Sequence, residues 1–366
     1  MKTPGFVALI LLVGSVVTAQ QPPARVEALD GIDTVVLLKE GKEMFGKQAF
    51  RSERGRFAYL FSSAETKAEF DKAPEKYSIQ MGGLCARMGR TVTGNPSDYM
   101  VHDGKIYIFG SDACHKSFAA APDKYLAKPA APIRQDAAAA QRGHALLEKA
   151  AAGIGGARVD TITTYVETTS ETQQRPSGEV KIVARRLWRF PGGARAERMV
   201  PMQNGEIATF GTLLTPQGAW SLGGQRAMAV IPEAIPSVQH DLGRQIIPLL
   251  RSRREPGTTG ASLGAATVAG VAVERVRVQR GGLDVTLNVD ASTGRIHSTT
   301  FVDRNRDGQF GEYTLVYADF RQVDGLLLPF EERALFNGAP DANLSRKLDS
   351  VSVNAPLDAT LFQAAR

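Results

Sequence analysis

The sequence predicts an α+β protein in two parts. A small α+β module built as a tandem repeat comes first, followed by a strongly curved antiparallel β-sheet covered by one or two helices. Three observations carry this. An aromatic motif occurs twice in register, an Ala/Pro-rich stretch breaks the composition after residue 126, and the remainder alternates polar and apolar residues between turn signals. With 366 residues, 43% hydrophobic and 22% charged, the chain has a folded protein's composition and a length that suits two domains. Its net charge of +6 is scattered among acidic residues, so no nucleic-acid stripe is formed; an anionic membrane surface is still admitted.

The first element is an export signal over residues 1–19. Lys2 is the basic start, Phe6 to Val17 carries no charge, and Val17-Thr18-Ala19 offers small residues for cleavage near Ala19. A bilayer of ~30 Å needs about 20 apolar residues, so this run is short for a spanning helix. The mature chain is then expected in an oxidising periplasmic or secreted compartment, with a retained membrane anchor as the other reading.

The repeat comes next. Gly55–Tyr77 (GRFAYLFSSAETKAEFDKAPEKY) and Gly104–Tyr125 (GKIYIFGSDACHKSFAAAPDKY) share the spacing Phe61 to Phe70 and Phe109 to Phe118, and both carry APxKY. Each reads as an aromatic-bearing strand, a turn and a short helix, too small to bury a core alone, so the copies should pack together. Residues 127–142 read as a linker. A helix over 136–152 follows, with Asp136 as N-cap and Gly153 as stop.

Downstream of 143, Leu283, Val285, Leu287 and Val289 face one way while Asp284, Thr286, Asn288 and Asp290 face the other. Val180, Ile182, Ala184, Trp188 and Phe190 repeat the pattern, opposite Lys181, Arg185 and Arg189. Strands are also expected at 159–168, 207–214, 271–280, 296–303, 312–320 and 326–336, with Asp324-Gly325 as the last turn. One further helix, 234–252, carries Val238, Leu242, Ile246 and Leu249 on one face, and Pro248 should kink it. A meander curled around such helices leaves an apolar hollow.

Two resemblances sharpen these expectations. The motif YxFxS…F…xPxKY, with GIDTVVLLKEGKEMFGKQAF before it, makes residues 28–126 resemble a tandem of YHS domains, a family linked to heavy-metal handling. The resemblance implies copper or zinc ligands at Cys85 and Cys114 in the second copy only, since Thr66 and Lys67 replace Cys114 and His115 in the first. The segments STGRI and DFRQVDGLLLPF make residues 143–366 resemble the β half-barrel of periplasmic lipoprotein carriers (the LolA/LolB-like, lipoprotein-sorting-like group). That implies an acyl-binding concave face.

Candidate residues follow. Trp188, Phe190, Phe210 and Trp220 are candidates for lining the hollow, or are ordinary core. Cys85, Cys114, His115 and Met88 could form a soft metal site, whereas the exported location favours a Cys85–Cys114 disulfide. Asp303–Gly308 spells the opening of a calcium loop, but Thr314 stands where a bidentate Glu is required, so a polar hairpin turn is expected. Arg251, Arg253 and Arg254 end the second helix and could touch lipid headgroups. No catalytic motif occurs. The function expected is an exported, non-enzymatic binding protein that carries or senses an apolar ligand, a lipid or a lipidated protein, with envelope metal handling as the alternative.

Overall fold

A computed structural model of the chain describes residues 25–128, 136–175, 178–202, 204–224 and 226–364. The export signal, and residues 129–135 of the linker expected at 127–142, lie outside the described residues. No helix among the described residues is long and apolar enough to cross a membrane.

The repeat folds as two hairpin–helix units. After helix α1 (Thr34–Glu40), strands β1 (Lys47–Arg54) and β2 (Phe57–Phe61) lead into α2 (Ala64–Lys72). Past β3 (Leu84–Cys85) and β4 (Gly89–Thr93), strands β5 (Asn95–His102) and β6 (Lys105–Phe109) lead into α3 (Asp112–Ala120). Ser63 and Ser111 cap the two helices at equivalent places, their hydroxyls accepting from the backbone N–H of Thr66 and Cys114. The matched rings also meet, Phe61 with Phe70 at 5.0 Å and Phe109 with Phe118 at 5.2 Å. Ile106 and Ile108 of the second copy join the first copy's core of Phe57, Tyr59, Phe61, Phe70 and Tyr77, so the first copy's core is completed by the second.

Helix α4 (Ala137–Ile154) opens the larger part, capped by Asp136, whose carboxylate accepts from Ala139 N–H at 2.5 Å. It runs past Gly153 and ends at Gly155. Glycine suits position 153 because a Cβ there would stand 2.6 Å from the Gly294 carbonyl oxygen. Gly143 is tighter still, its hypothetical Cβ 2.5 Å from Gly260 O and 2.9 Å from Ala261 Cα. Gly143→Ala is expected to lower stability by about 1–3 kcal/mol despite alanine's better helix propensity, because backbone must give way. Urea denaturation measures this, and an unchanged midpoint would refute the close approach.

The strands that follow form two open sheets. Strands β7 (Thr164–Arg175), β8 (Gly178–Arg189), β9 (Gly193–Pro201), β10 (Ile207–Thr215), β11 (Gly218–Gly224) and β12 (Arg226–Ala229) make the first meander. Helices α5 (Ile235–Gly243) and α6 (Ile246–Arg251) follow. Strands β13 (Thr259–Val268), β14 (Val271–Arg280), β15 (Leu283–Asp290), β16 (Ile296–Arg304), β17 (Phe310–Val323) and β18 (Leu326–Phe336) make the second. Strand β19 (Ser350–Val353) returns to the first sheet beside β7, giving seven strands in the order β12-β11-β10-β9-β8-β7-β19.

The expected half-barrel is therefore absent. Neither sheet closes or curls into a trough, because the chain leaves β12 through Pro232 into α5 and α6, and β13 starts a separate ladder with β14. The space between the sheets is filled rather than hollow. Leu146, Leu147, Ala150 and Ile154 of α4, with Leu242, Ile247, Leu249 and Leu250 of α5 and α6, pack with Val276, Val285 and Leu287 in one core.

The second helix breaks at Arg244-Gln245, not at Pro248. Gln245 is extended (φ −69°, ψ 148°) and starts α6, so Pro248 sits in its first turn, where no intrahelical N–H donor is needed. The hairpin between β16 and β17 joins the two parts. Its turn is held by the Asn305 side chain, which accepts from Asp307 and Gln309 N–H. Arg304 reaches from it to the carbonyls of Ala86, Arg87 and Tyr125 at 3.1, 2.6 and 2.9 Å.

Candidate functional site

The inner face of the seven-stranded sheet carries the site. Alternation along β8 directs Ile182, Ala184, Arg186 and Trp188 toward the interior, opposite Glu171, Thr169, Glu167 and Tyr165 of β7. One end of this row, with Phe190 just beyond it, opens into a cleft of about 550 Å³. Trp188, Phe190, Leu214, Leu242, Pro248 and Leu283 contribute its apolar wall, and Arg189, Glu255 and Arg280 stand among its polar lining. Glu255 and Arg280 pair with each other there. Trp188 itself is a core residue, 2% exposed, its indole N–H donating to Leu242 O at 3.1 Å and its ring 5.5 Å from Tyr165. Phe190 is half-buried and offers the more accessible aromatic surface.

Midway along the row lies a buried ionic strut. Arg346 meets Glu167 of the first sheet at 2.9 Å and Glu332 of the second at 2.5 Å, and donates to Gln245 Oε1 at 2.9 Å. Tyr165 O–H donates to Glu167 at 3.2 Å. Burial acts to raise the Glu332 carboxyl pKa, but the charge of Arg346, then its hydrogen bond, outweigh that and hold it below the ordinary value. Burial pushes the Arg186 guanidinium the other way, down to about 10, helped by the like charge of Arg346. Arg186 Nη1 is sealed from solvent and has no hydrogen-bond partner among the described residues.

At the far end of the row a second cleft, about 630 Å³, is lined by Arg186, Arg346, Ile182, Ala184, Phe210 and Leu344. Phe210 is 45% exposed at its mouth. The four aromatic candidates thus separate. Trp188 and Phe190 share one cleft, Phe210 belongs to the other, and Trp220 lies on the opposite face of the sheet with Leu187, Leu213 and Phe362. Sequence reading missed Arg186, Glu167, Glu332 and Arg346. The one available signal was a cation of inward parity within an apolar row.

No metal centre forms. Among the described residues no group of three or more His, Cys, Asp and Glu is placed to hold an ion, which overturns copper or zinc as cofactor. The reason is local. His115 Nδ1 is taken by Asp98 at 2.5 Å and its ring stacks on Phe109 at 4.4 Å, while Met88 sulfur accepts from Arg87 at 3.1 Å. Cys85 and Cys114 are buried free thiols. Burial works to raise the Cys114 pKa, but hydrogen bonds with Ser111, Cys85 and Arg87 hold it below the ordinary thiol value. Cys114 occupies the helix position that Thr66 fills in the first copy, where the hydroxyl donates to buried Asp33 at 2.8 Å. Of the arginines at the end of α6, Arg253 turns inward while Arg254 stays exposed. Arg253, 3% exposed, and Arg254 both bind Glu148 and Asp160, and Arg251 donates to Ile162 O at 3.3 Å.

No protein-family profile matches the chain and no curated protein is similar to it, so the YHS identification of residues 28–126 is without support, and the duplicated hairpin–helix stands only as an internal repeat. Solved structures are similar at a distance. An outer-membrane lipoprotein-sorting protein domain from Vibrio parahaemolyticus is 12% identical, with a TM-score of 0.36, covering 61% of this chain and 97% of that one. A DUF1329 family protein from Desulfovibrio piger is 11% identical, with a TM-score of 0.39, covering 62% and 97%. A LolA superfamily protein from Nitrosomonas europaea is 13% identical, with a TM-score of 0.37, covering 60% and 97%. Likenesses at these scores do not define a fold family for the chain.

Proposed function

We propose that the protein is an exported, non-enzymatic binding protein that takes the apolar chain of a lipid or a lipidated protein into the cleft beside Trp188 and Phe190. One observation carries this reading: an open cleft of about 550 Å³ whose wall is formed by Phe190, Leu214, Leu242, Pro248 and Leu283. That size lies in the range of small-molecule sites, and each CH₂ moved there from water contributes about 0.8 kcal/mol. The apolar leader read from residues 1–19 supports a place for this site outside the cytoplasm, in the cell envelope.

Native mass spectrometry of protein purified from its own envelope should show co-bound lipid. In titrations, Phe190→Asp is expected to weaken dodecanol binding at least about tenfold, since a carboxylate replaces apolar wall at the point of contact. A lipid-free mass together with no binding of dodecanol by the unaltered protein would end this proposal, and so would an unchanged affinity in the variant.

A further inference from the structure

Arg186 sits in an arrangement that its protein neighbours leave incomplete. Its strand places it inward, between Ala184 and Trp188, and its Nη1 has no hydrogen-bond partner among the described residues. The nearby carboxylates are already engaged. Glu167 and Glu332 hold Arg346, Glu197 holds Arg185 and Arg195, and Glu171 holds Arg198. Arg244, a buried guanidinium nearby, is covered by the Phe301 ring at 4.2 Å and meets Asp241 at 3.5 Å. Glu167, opposite Arg186 on β7, and Glu332 favour the Arg186 charge, but both are shared with Arg346, and a part-buried guanidinium whose counter-charge is shared gains from a further anion. Arg186 lines the second cleft, whose other lining includes Ile182, Ala184, Phe210 and Leu344.

We infer that this cleft is a second binding site, for a single-tailed amphiphile with an anionic head, carboxylate or phosphate. The head pairs with the Arg186 guanidinium, and the tail lies along Ile182, Ala184, Leu344 and the exposed ring of Phe210. A guanidinium suits either head because its fork of N–H donors matches two oxygens at once. The inference shares with the proposed function only the uptake of an acyl chain, and uses a different cleft.

The test compares dodecanoate, dodecyl phosphate and dodecanol by calorimetric titration on the full chain, with Arg186→Met, Arg186→Gln, Arg186→Lys and Phe190→Asp. In the unaltered protein at least one anion should bind more tightly than dodecanol, and the tighter anion identifies the head. Arg186→Met and Arg186→Gln should each lose that anion at least about tenfold and keep dodecanol, while Arg186→Lys keeps much of the affinity. Anion binding that depends on Arg186 and not on Phe190 upholds this site even if the first cleft binds nothing. Anion affinities unchanged by both Arg186→Met and Arg186→Gln, or no anion preferred to dodecanol, overturn it.

Discussion

Arg346→Met is expected to cost about 3–5 kcal/mol of stability, a large share of what a typical domain possesses. The guanidinium is the shared counter-ion of Glu167 and Glu332, and these lie on different sheets. Removing it leaves two carboxylates in the interior without their cation, and the loss is the desolvation they then bear. The pH dependence carries the signature. In the unaltered protein the Glu332 pKa is depressed in the folded state, so its contribution is present above the unfolded glutamate value of about 4.3 and is lost as pH falls through the folded value. In the variant, the charge of Arg346 no longer offsets burial and the Glu332 carboxyl pKa rises, so stability should increase as pH is lowered from about 7 to about 5. Urea midpoints across that range decide the matter. Adding Glu167→Gln and Glu332→Gln to Arg346→Met should recover most of the loss, since a buried pair removed whole costs little. A variant that keeps the unaltered protein's stability and pH slope would show that the strut does not bind the sheets together.

Arg304→Ala is expected to separate the repeat module from the sheets. Arg304 donates to three carbonyls of the module and to Gly308 O of its own turn at 2.8 Å, and its guanidinium lies 4.3 Å from the Phe310 ring centroid. Charged hydrogen bonds contribute about 1.5–3 kcal/mol each, and because one side chain makes all of them the combined loss is taken as about 3 kcal/mol. Differential scanning calorimetry should then show two transitions where the unaltered chain shows overlapping ones, since each part keeps its own core. Arg304→Lys should rescue only in part, because an ammonium lacks the planar fork that serves several carbonyls. A calorimetric trace unchanged by Arg304→Ala would refute the docking role.

The strands at 207–214, 271–280, 296–303 and 326–336 were legible because a half-buried strand writes its period into the side chains, and the structure places strands there with ends within a residue or so. The Asp324-Gly325 turn was legible too, both residues having positive φ (49° and 79°). Strands β9, β11, β12 and β13 were not. Their apolar and polar residues do not alternate cleanly, as in GARAERMVP and GASLGAATV, and their pairing is set by neighbours. The start of β7 was read five residues early, since Ala157–Asp160 is a helical turn under α4. The inward row of β8 was read from Val180 to Phe190 with Arg186 passed over, because a cation breaks the apolar pattern used to find the row.

By itself the sequence determined the local grammar: the period of the strands, the Asp136 cap, the duplicated Phe-to-Phe spacing and the register of the last hairpin. These depend on contacts a few residues apart, or on the choice of a wet or dry face. Only the tertiary structure decided that the strands divide into two open sheets rather than one curved trough, that helices occupy the space between them, and that Arg346 joins Glu167 to Glu332 across 165 residues of chain. The physical reason is that alternation says which face is buried and never what covers it. The worth of a buried charge, likewise, depends on a partner brought there only by folding.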